Sequence, residues 1–326
     1  VVNYLTFLIL GLGAGAVYAG IAMSVLTVFK ATGVVNFAQG AMAAWGAYVA
    51  VELTNSGRMV FPIGSIDLGA PQAVGFSLVV GLIHGVALSG LCYALVFYPL
   101  RKAPVLAQVV ASIGLMLTMQ ALVVLRFGAA APNVEPIFAE HTIELGSIKF
   151  SSQVVVMLVL IAVIAVALGA FFRFTRFGLA IRAASEDERA AVITGYSPAR
   201  LAAFAWMASG LISTLVVMVA APATGLNPTI FTLFIVPALG AVLVGRFHSI
   251  GITCAAALLI GGAQSVITYG TTQSWWPHWA QSGIATTLPF VVIVVLLYFS
   301  GDRVPLRGSV LAAKMAPVFV PRARPL

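Results

Sequence analysis

The sequence predicts an all-α integral membrane protein, a polytopic bundle of about eight to nine transmembrane helices with a short cytoplasmic helix. Three observations predict it. Hydrophobic residues make up 61% of the chain and charged residues only 8%, against about 25% charged in ordinary soluble domains. The apolar residues fall in runs close to the ~20 residues that a bilayer-spanning helix needs. The cations lie between those runs, where they orient a membrane protein.

Taken in order, the candidate spans are 4–29, 34–53, 73–98, 104–126, 152–172, 200–222, 230–246, 250–269 and 284–300. The first run lacks a basic leader and is too long for a cleaved signal peptide, so it reads as a span. Gly33 interrupts the helical run before the second span, and Asn36 is a good N-cap for a helix beginning just after it. The second and seventh spans are short or interrupted, which suits broken or re-entrant helices. Within these spans Lys, Arg, Asp and Glu occur only at the boundaries, as at Glu52, Arg126 and Arg246. Gly11, Gly13 and Gly15 on the first span, the Gly81/Gly85 pair on the third and Gly240 on the seventh are small residues of the kind that let helices approach closely in lipid. Cys92 and Cys254 sit in apolar runs and read as packing residues.

Orientation follows from the cations. With the N-terminus outside and the C-terminus in the cytoplasm, 14 of the 17 Lys and Arg residues are cytoplasmic, and only Arg58, Arg126 and Lys149 are not. The net charge of +8 is therefore read as membrane orientation, with the lipid bilayer as partner and no nucleic acid. Outer loops fall at 54–72 and 127–151, and a third outer segment carries Trp275, Trp276 and Trp279, either an interfacial aromatic belt or a contact for an external partner. Residues 1–300 form the transmembrane unit, and the basic tail 301–326 is a cytoplasmic surface segment or a linker toward a further domain.

Several functions are excluded by what is missing. The sequence holds no G-x-x-x-x-G-K-[ST], so it does not hydrolyse ATP through a P-loop. No carboxylate or lysine falls at mid-span, which disfavours a proton-coupled carrier. No nucleophile–base set or metal-ligand spacing supports an enzyme, and no cofactor is expected on this chain.

Two segments carry the functional signal. The cytoplasmic loop 173–199 reads Ser185-x-x-Glu188 as a capping box, with Glu186, Asp187 and Glu188 placing negative charge in a first helical turn. Gly195 suits a C-terminal stop and Pro198 prevents continuation, giving a short helix of about nine residues and about 13 Å. Ala190 and Ala191 offer a small-residue face that fits a groove in a soluble partner. An interfacial helix lying on lipid is the alternative. In the second segment, 30–48, Asn36 and Gln39 are polar groups beside the small residues Gly40 and Ala41. They suit a broken helix that contacts substrate, or a plain helix cap. Ser112 and Gln120 are eight residues apart on one helix face and are further pathway candidates.

The segments GAVYAGIAMSVLTVFKATGVVNFAQGAMAAWGAY at 15–48, YPLRKAPVLAQVVASIGL at 98–115 and RFTRFGLAIRAASEDERAAVITGYSP at 173–198 resemble the permeases of branched-chain amino-acid ABC importers, of the LivH type. The resemblance covers nearly the whole chain. It implies a bacterial inner-membrane permease subunit that works with ABC ATPase subunits holding ATP and magnesium, a second related permease and an extracytoplasmic substrate-binding protein. It implies that Asn36, Phe37, Gln39 and Gly40 lie near the translocation route; Gly114 is a pathway candidate beside Ser112 and Gln120 on the fourth span. It also implies that the ATPase couples through Gly178, Arg182, Ala184, Ser185, Glu186, Asp187, Ala190, Ala191 and Gly195. One departure stands out: VLVGRFHSIGIT at 242–253 places Arg246, Phe247 and His248 where the family has small residues. The same machinery for urea, short amides or another small solute is the alternative reading, and a passive channel or membrane scaffold is the alternative of another class.

Overall fold

The computed structural model describes residues 2–146, 148–186, 192, 195–281 and 283–300. Helix α1 (Val2–Thr32) ends where Gly33 adopts a left-handed φ of +71° and returns its N–H to the Phe29 carbonyl at 2.7 Å. Helix α2 (Gln39–Ser56) comes after a non-helical stretch. A small hairpin, β1 (Arg58–Val60) with β2 (Ser65–Asp67), leads to α3 (Val74–Cys92). Helix α3 continues through a π-helical turn at Tyr93–Phe97 and a 3-10 turn at Pro99–Lys102 into α4 (Val105–Phe127). A second hairpin, β3 (Thr142–Leu145) with β4 (Ile148–Ser151), precedes α5 (Ser152–Phe174) and α6 (Arg176–Glu186). The remainder is α7 (Pro198–Thr224), α8 (Pro228–Leu233), α9 (Ile235–Val244), α10 (Ile250–Gly270) and α11 (Ile284–Ser300).

The molecule is an all-α polytopic membrane protein. Six helical stretches are long and apolar enough to cross a bilayer: α1, α3 with its π-turn, α4, α5, α7 and α10. The shortest, α10, has 21 residues, about 31 Å at 1.5 Å per residue, which matches a hydrocarbon core of about 30 Å. Two shorter apolar helices add to these, Thr229–Val244 and Ile284–Phe299. The expected seventh span is thus interrupted, with Phe234 between α8 and α9. The expected second span begins five residues later than 34 and is not one of the six. Helix α2 is instead enclosed by protein, every residue from Ala38 to Ala50 being buried.

Small residues explain that enclosure. Gly40, Ala41, Ala43, Ala44, Gly46, Ala47 and Ala50 let α2 sit against α3, α4, α7 and α8. A Cβ on Gly81 of α3 would stand 2.5 Å from the Gly46 carbonyl oxygen, so the two backbones touch. The crossing of α1 with α10 is built the same way, where a side chain on Gly261 would collide with the backbone of Gly15 and Gly11. Close backbone approach of this kind supplies packing that apolar burial alone does not provide in lipid. Helix α7 contacts both α1 and α2 and completes the centre of the bundle.

The hairpins in the two loops 54–72 and 127–151 were not legible as strands. Their strands are three or four residues long, and each hairpin turns on a left-handed glycine near its tip, Gly64 or Gly146. Arg126 at the end of α4 donates to the Gly64 carbonyl and ties the first hairpin down.

Candidate functional site

The interior polar cluster is built around the start of α2. Asn36 and Gln39 are both fully buried, and an unpaired amide there would be costly. Asn36 Oδ1 accepts the Ala38 N–H at 3.0 Å, and its Nδ2 donates to Gln39 Oε1 at 2.9 Å. Gln39 Nε2 then donates to the Ser209 carbonyl at 3.2 Å and to Ser213 Oγ at 2.7 Å on α7. Asn36 is therefore not the N-cap of α2, a position held by Ala38. Its side chain closes an Asx-type turn that starts two residues earlier.

The same region meets the broken seventh segment. A side chain on Gly40 would collide with the Phe231 carbonyl oxygen of α8, so only glycine permits the approach. Asn227 caps α8 by accepting the Thr229 N–H at 2.9 Å, and Gln120 Nε2 of α4 donates to Thr229 Oγ1 at 2.9 Å. Tyr48 Oη donates to the Leu226 carbonyl at 2.8 Å just before the cap. The structure thus brings Gln39 and Gly40 together with Gln120 around α7 and α8. Phe37 is half-buried against the core.

The two remaining candidates on α4 part company. Ser112 is buried and bonds its own helix, Oγ to the Val109 carbonyl at 2.9 Å. Gly114 faces outward, with nothing within 4 Å of where a Cβ would stand. The sequence reading misses Ser209 and Ser213, whose i, i+4 spacing places both hydroxyls on one face of α7. Beside them the buried Trp206 Nε1, Ser209 Oγ, Ser89 Oγ and Thr214 Oγ1 have no hydrogen-bond partner among the described residues.

At the start of α7 the candidates of the loop 173–199 are partly seen. The helix expected to run from a Ser185 cap to Gly195 lies largely outside the described residues; upstream of it, α6 begins at Arg176. Thr175 caps it, its Oγ1 accepting the Gly178 N–H at 3.0 Å and its carbonyl the Leu179 N–H at 3.0 Å. Gly178, Ala180, Ile181 and Ala184 are buried on α6 while Arg182 is exposed. A side chain on Gly178 would collide with the Phe171 carbonyl oxygen of α5, which is why α6 turns back on α5 at this point. Ser185 and Glu186 lie in the last described turn. Asp187, Ala190 and Ala191 lie outside the described residues. Gly195 has a left-handed φ of +86°, the conformation a helix stop uses, and Pro198 is the first residue of α7.

One cleft of about 150 Å³ opens near this end, lined in part by Thr32, Tyr93, Arg101, Lys102, Gln108 and Ala199. A smaller cavity of about 40 Å³ lies between the far ends of α2, α3 and α7 under Asn133 to Ile137. It has room for water rather than for an amino acid.

Membrane-length helices around an enclosed, small-residue helix, with hydrogen-bonded amides at its start, define a polytopic α-helical membrane protein with a polar seam in its interior. The family described as branched-chain amino acid transport system / permease component matches residues 7–300, and the chain belongs to it. Among its relatives is the high-affinity branched-chain amino acid transport system permease protein LivH of Salmonella typhimurium, 25% identical, over 78% of this chain and 83% of that one. BraD of Pseudomonas aeruginosa, of the same description, is 26% identical over 81% and 86%. The probable branched-chain amino acid transport permease protein LivH of Methanocaldococcus jannaschii is 27% identical over 85% of each chain. The protein is a permease subunit of a transport system.

Proposed function

We propose that this permease serves an ATP-driven importer that moves branched-chain or other hydrophobic amino acids into the cell. The observation that carries the reading is the family match over residues 7–300, joined by relatives whose names specify branched-chain amino acid transport. In this reading partner ABC ATPases hold ATP and magnesium, and a second related permease completes the pore. An extracytoplasmic binding protein delivers the substrate. Residues 1–300 form the translocating unit in the inner membrane, N-terminus outside, with 301–326 as a cytoplasmic extension.

The loop from Gly178 to Gly195 is the proposed coupling element. Its support is physical: α6 is capped by Thr175 and packed on α1, α5 and α7, so a push on it reaches helices that contact the α2 cluster. The proposed route passes the Asn36–Gly40 segment and Gln120, where α2, α4, α7 and α8 meet.

The test is co-purification of the chain with candidate ABC ATPases, followed by ATP-dependent leucine uptake into vesicles holding the assembled complex. Retention of the ATPases by wild type, with loss in a folded Glu186→Arg/Asp187→Arg variant, is the expected result. Failure of wild type to bind any ATPase sinks the importer reading. Uptake of urea or a short amide in place of leucine changes the cargo and keeps the machine.

A further inference from the structure

The cleft at the α3–α4 turn has features that the transport reading does not use. Arg101 and Lys102 stand in its lining, and among the described residues neither is paired with a carboxylate, the two ion pairs there being Arg58–Glu52 and Lys149–Glu144. Arg101 is held in place by its guanidinium lying over the Tyr98 ring at 4.1 Å. Across the cleft stand Pro198 and Ala199, the first residues of the 27-residue α7, where the helix dipole favours negative charge. Tyr93 Oη donates to the Ala199 carbonyl at 3.2 Å and fixes that wall. Gln108 Nε2 donates to the Leu100 and Ala103 carbonyls at 3.0 and 3.2 Å, which sets the turn that presents both cations.

Its surroundings suit a lipid. Val105 and Leu106, three and four residues beyond Lys102, are exposed apolar residues at the start of α4, so acyl chains have apolar surface beside the rim. Ala31, Val34, Phe97 and Ala202 give the interior an apolar floor. The cleft, about 150 Å³, is as large as cavities that accept a small organic molecule, enough for a phosphate with part of its glycerol. Basic pockets between membrane helices at the cytoplasmic side are where anionic headgroups bind.

We propose that this cleft, bounded by Arg101, Lys102 and the start of α7, binds the headgroup phosphate of an anionic phospholipid. The bound lipid bridges the α3–α4 turn to α7, and so fastens the end of the helix that also carries Ser209 and Ser213. The proposal does not depend on ATP coupling or on the cargo.

The test uses full-length protein, stripped of lipid in a neutral detergent and titrated with phosphatidylglycerol or phosphatidylcholine. Bound lipid is counted by native mass spectrometry. Wild type is expected to prefer phosphatidylglycerol by about fivefold for each of the two cations. Arg101→Gln/Lys102→Gln, both exposed positions, is expected to bring the two lipids to parity, while Arg58→Gln/Lys149→Gln leaves the preference unchanged. Ala199→Leu keeps both charges but fills the cleft, and is expected to remove the preference as well. Persistence of the preference in either cleft variant overturns the proposal, as does equal binding of the two lipids by wild type. Displacement of phosphatidylglycerol by millimolar inorganic phosphate makes the site one for a free anion, and displacement by leucine makes it one for the cargo; either overturns the lipid assignment.

Discussion

Gln39 Nε2 donates to Ser213 Oγ at 2.7 Å, across 174 positions of chain. This bond fixes the buried start of α2 to the middle of α7, and it sits within a chain of hydrogen bonds that runs from Asn36 through Gln39 to the Ser209 carbonyl. Such a network is favourable only while every member is satisfied.

Replacing Gln39 by Leu is therefore expected to destabilise the bundle by about 2–4 kcal/mol, since one buried side chain serves three partners. Ser213→Ala should cost only about 1 kcal/mol, and the double variant less than the sum of the two. Thermal unfolding in detergent measures all three. Additive losses would show that the two residues act separately.

Gly40→Ala is expected to cost about 1–3 kcal/mol, because the new methyl is forced against the Phe231 carbonyl and α8 must move. Gly114→Ala, on the open face of α4, is expected to gain about 0.5–1 kcal/mol in the isolated subunit, because the methyl meets nothing and the helix loses a glycine. The same unfolding assay compares them. Loss of assembly with an intact Gly114→Ala monomer would show that a partner covers that face.

Thr175→Val removes the oxygen that caps α6 and is expected to weaken that helix by about 1 kcal/mol. Under the proposed coupling role, ATPase retention falls while the unfolding temperature of the bundle barely changes. Unchanged retention would place the docking contact elsewhere in the loop.

Arg246 and Phe247 both hold left-handed backbone, with φ of 51° and 53°, in the turn between α9 and α10. A non-glycine residue there costs about 1–2 kcal/mol, partly offset by the about 0.5–1 kcal/mol of chain entropy that glycine loses on folding. Arg246 is exposed, so Arg246→Gly is expected to raise stability by about 0.5–1 kcal/mol. Phe247→Gly should not, because Phe247 packs against Phe29 with ring centroids 4.2 Å apart. Unfolding of the two variants side by side checks the difference.

Much of the fold was legible because hydropathy is a local sum. Six of the nine candidate spans coincide with the long apolar helices to within a few residues. The break at Gly33 and the weakness of the 230–246 run were visible as a helix-breaking glycine and a short apolar stretch. The candidate site was legible in its residue types more than in their roles. Asn36 has the side chain of a cap, and the structure makes it a turn-former two residues upstream of the cap position. Thr175, which caps α6, is a good capping residue by type that the sequence reading passed over.

By itself, then, the sequence determined that the chain lies in a membrane, where its six long apolar helices fall, and which small residues are available for close packing. Those properties depend on neighbours along the chain, through apolar run length, charge placement and turn chemistry. Only the tertiary structure decided that α2 is enclosed, that Gln39 bonds Ser213, and that Arg101 and Lys102 face the start of α7 across a cleft. These depend on how helices far apart in sequence pack. In lipid that packing is set by backbone approach and hydrogen-bond satisfaction, and no hydropathy pattern records either.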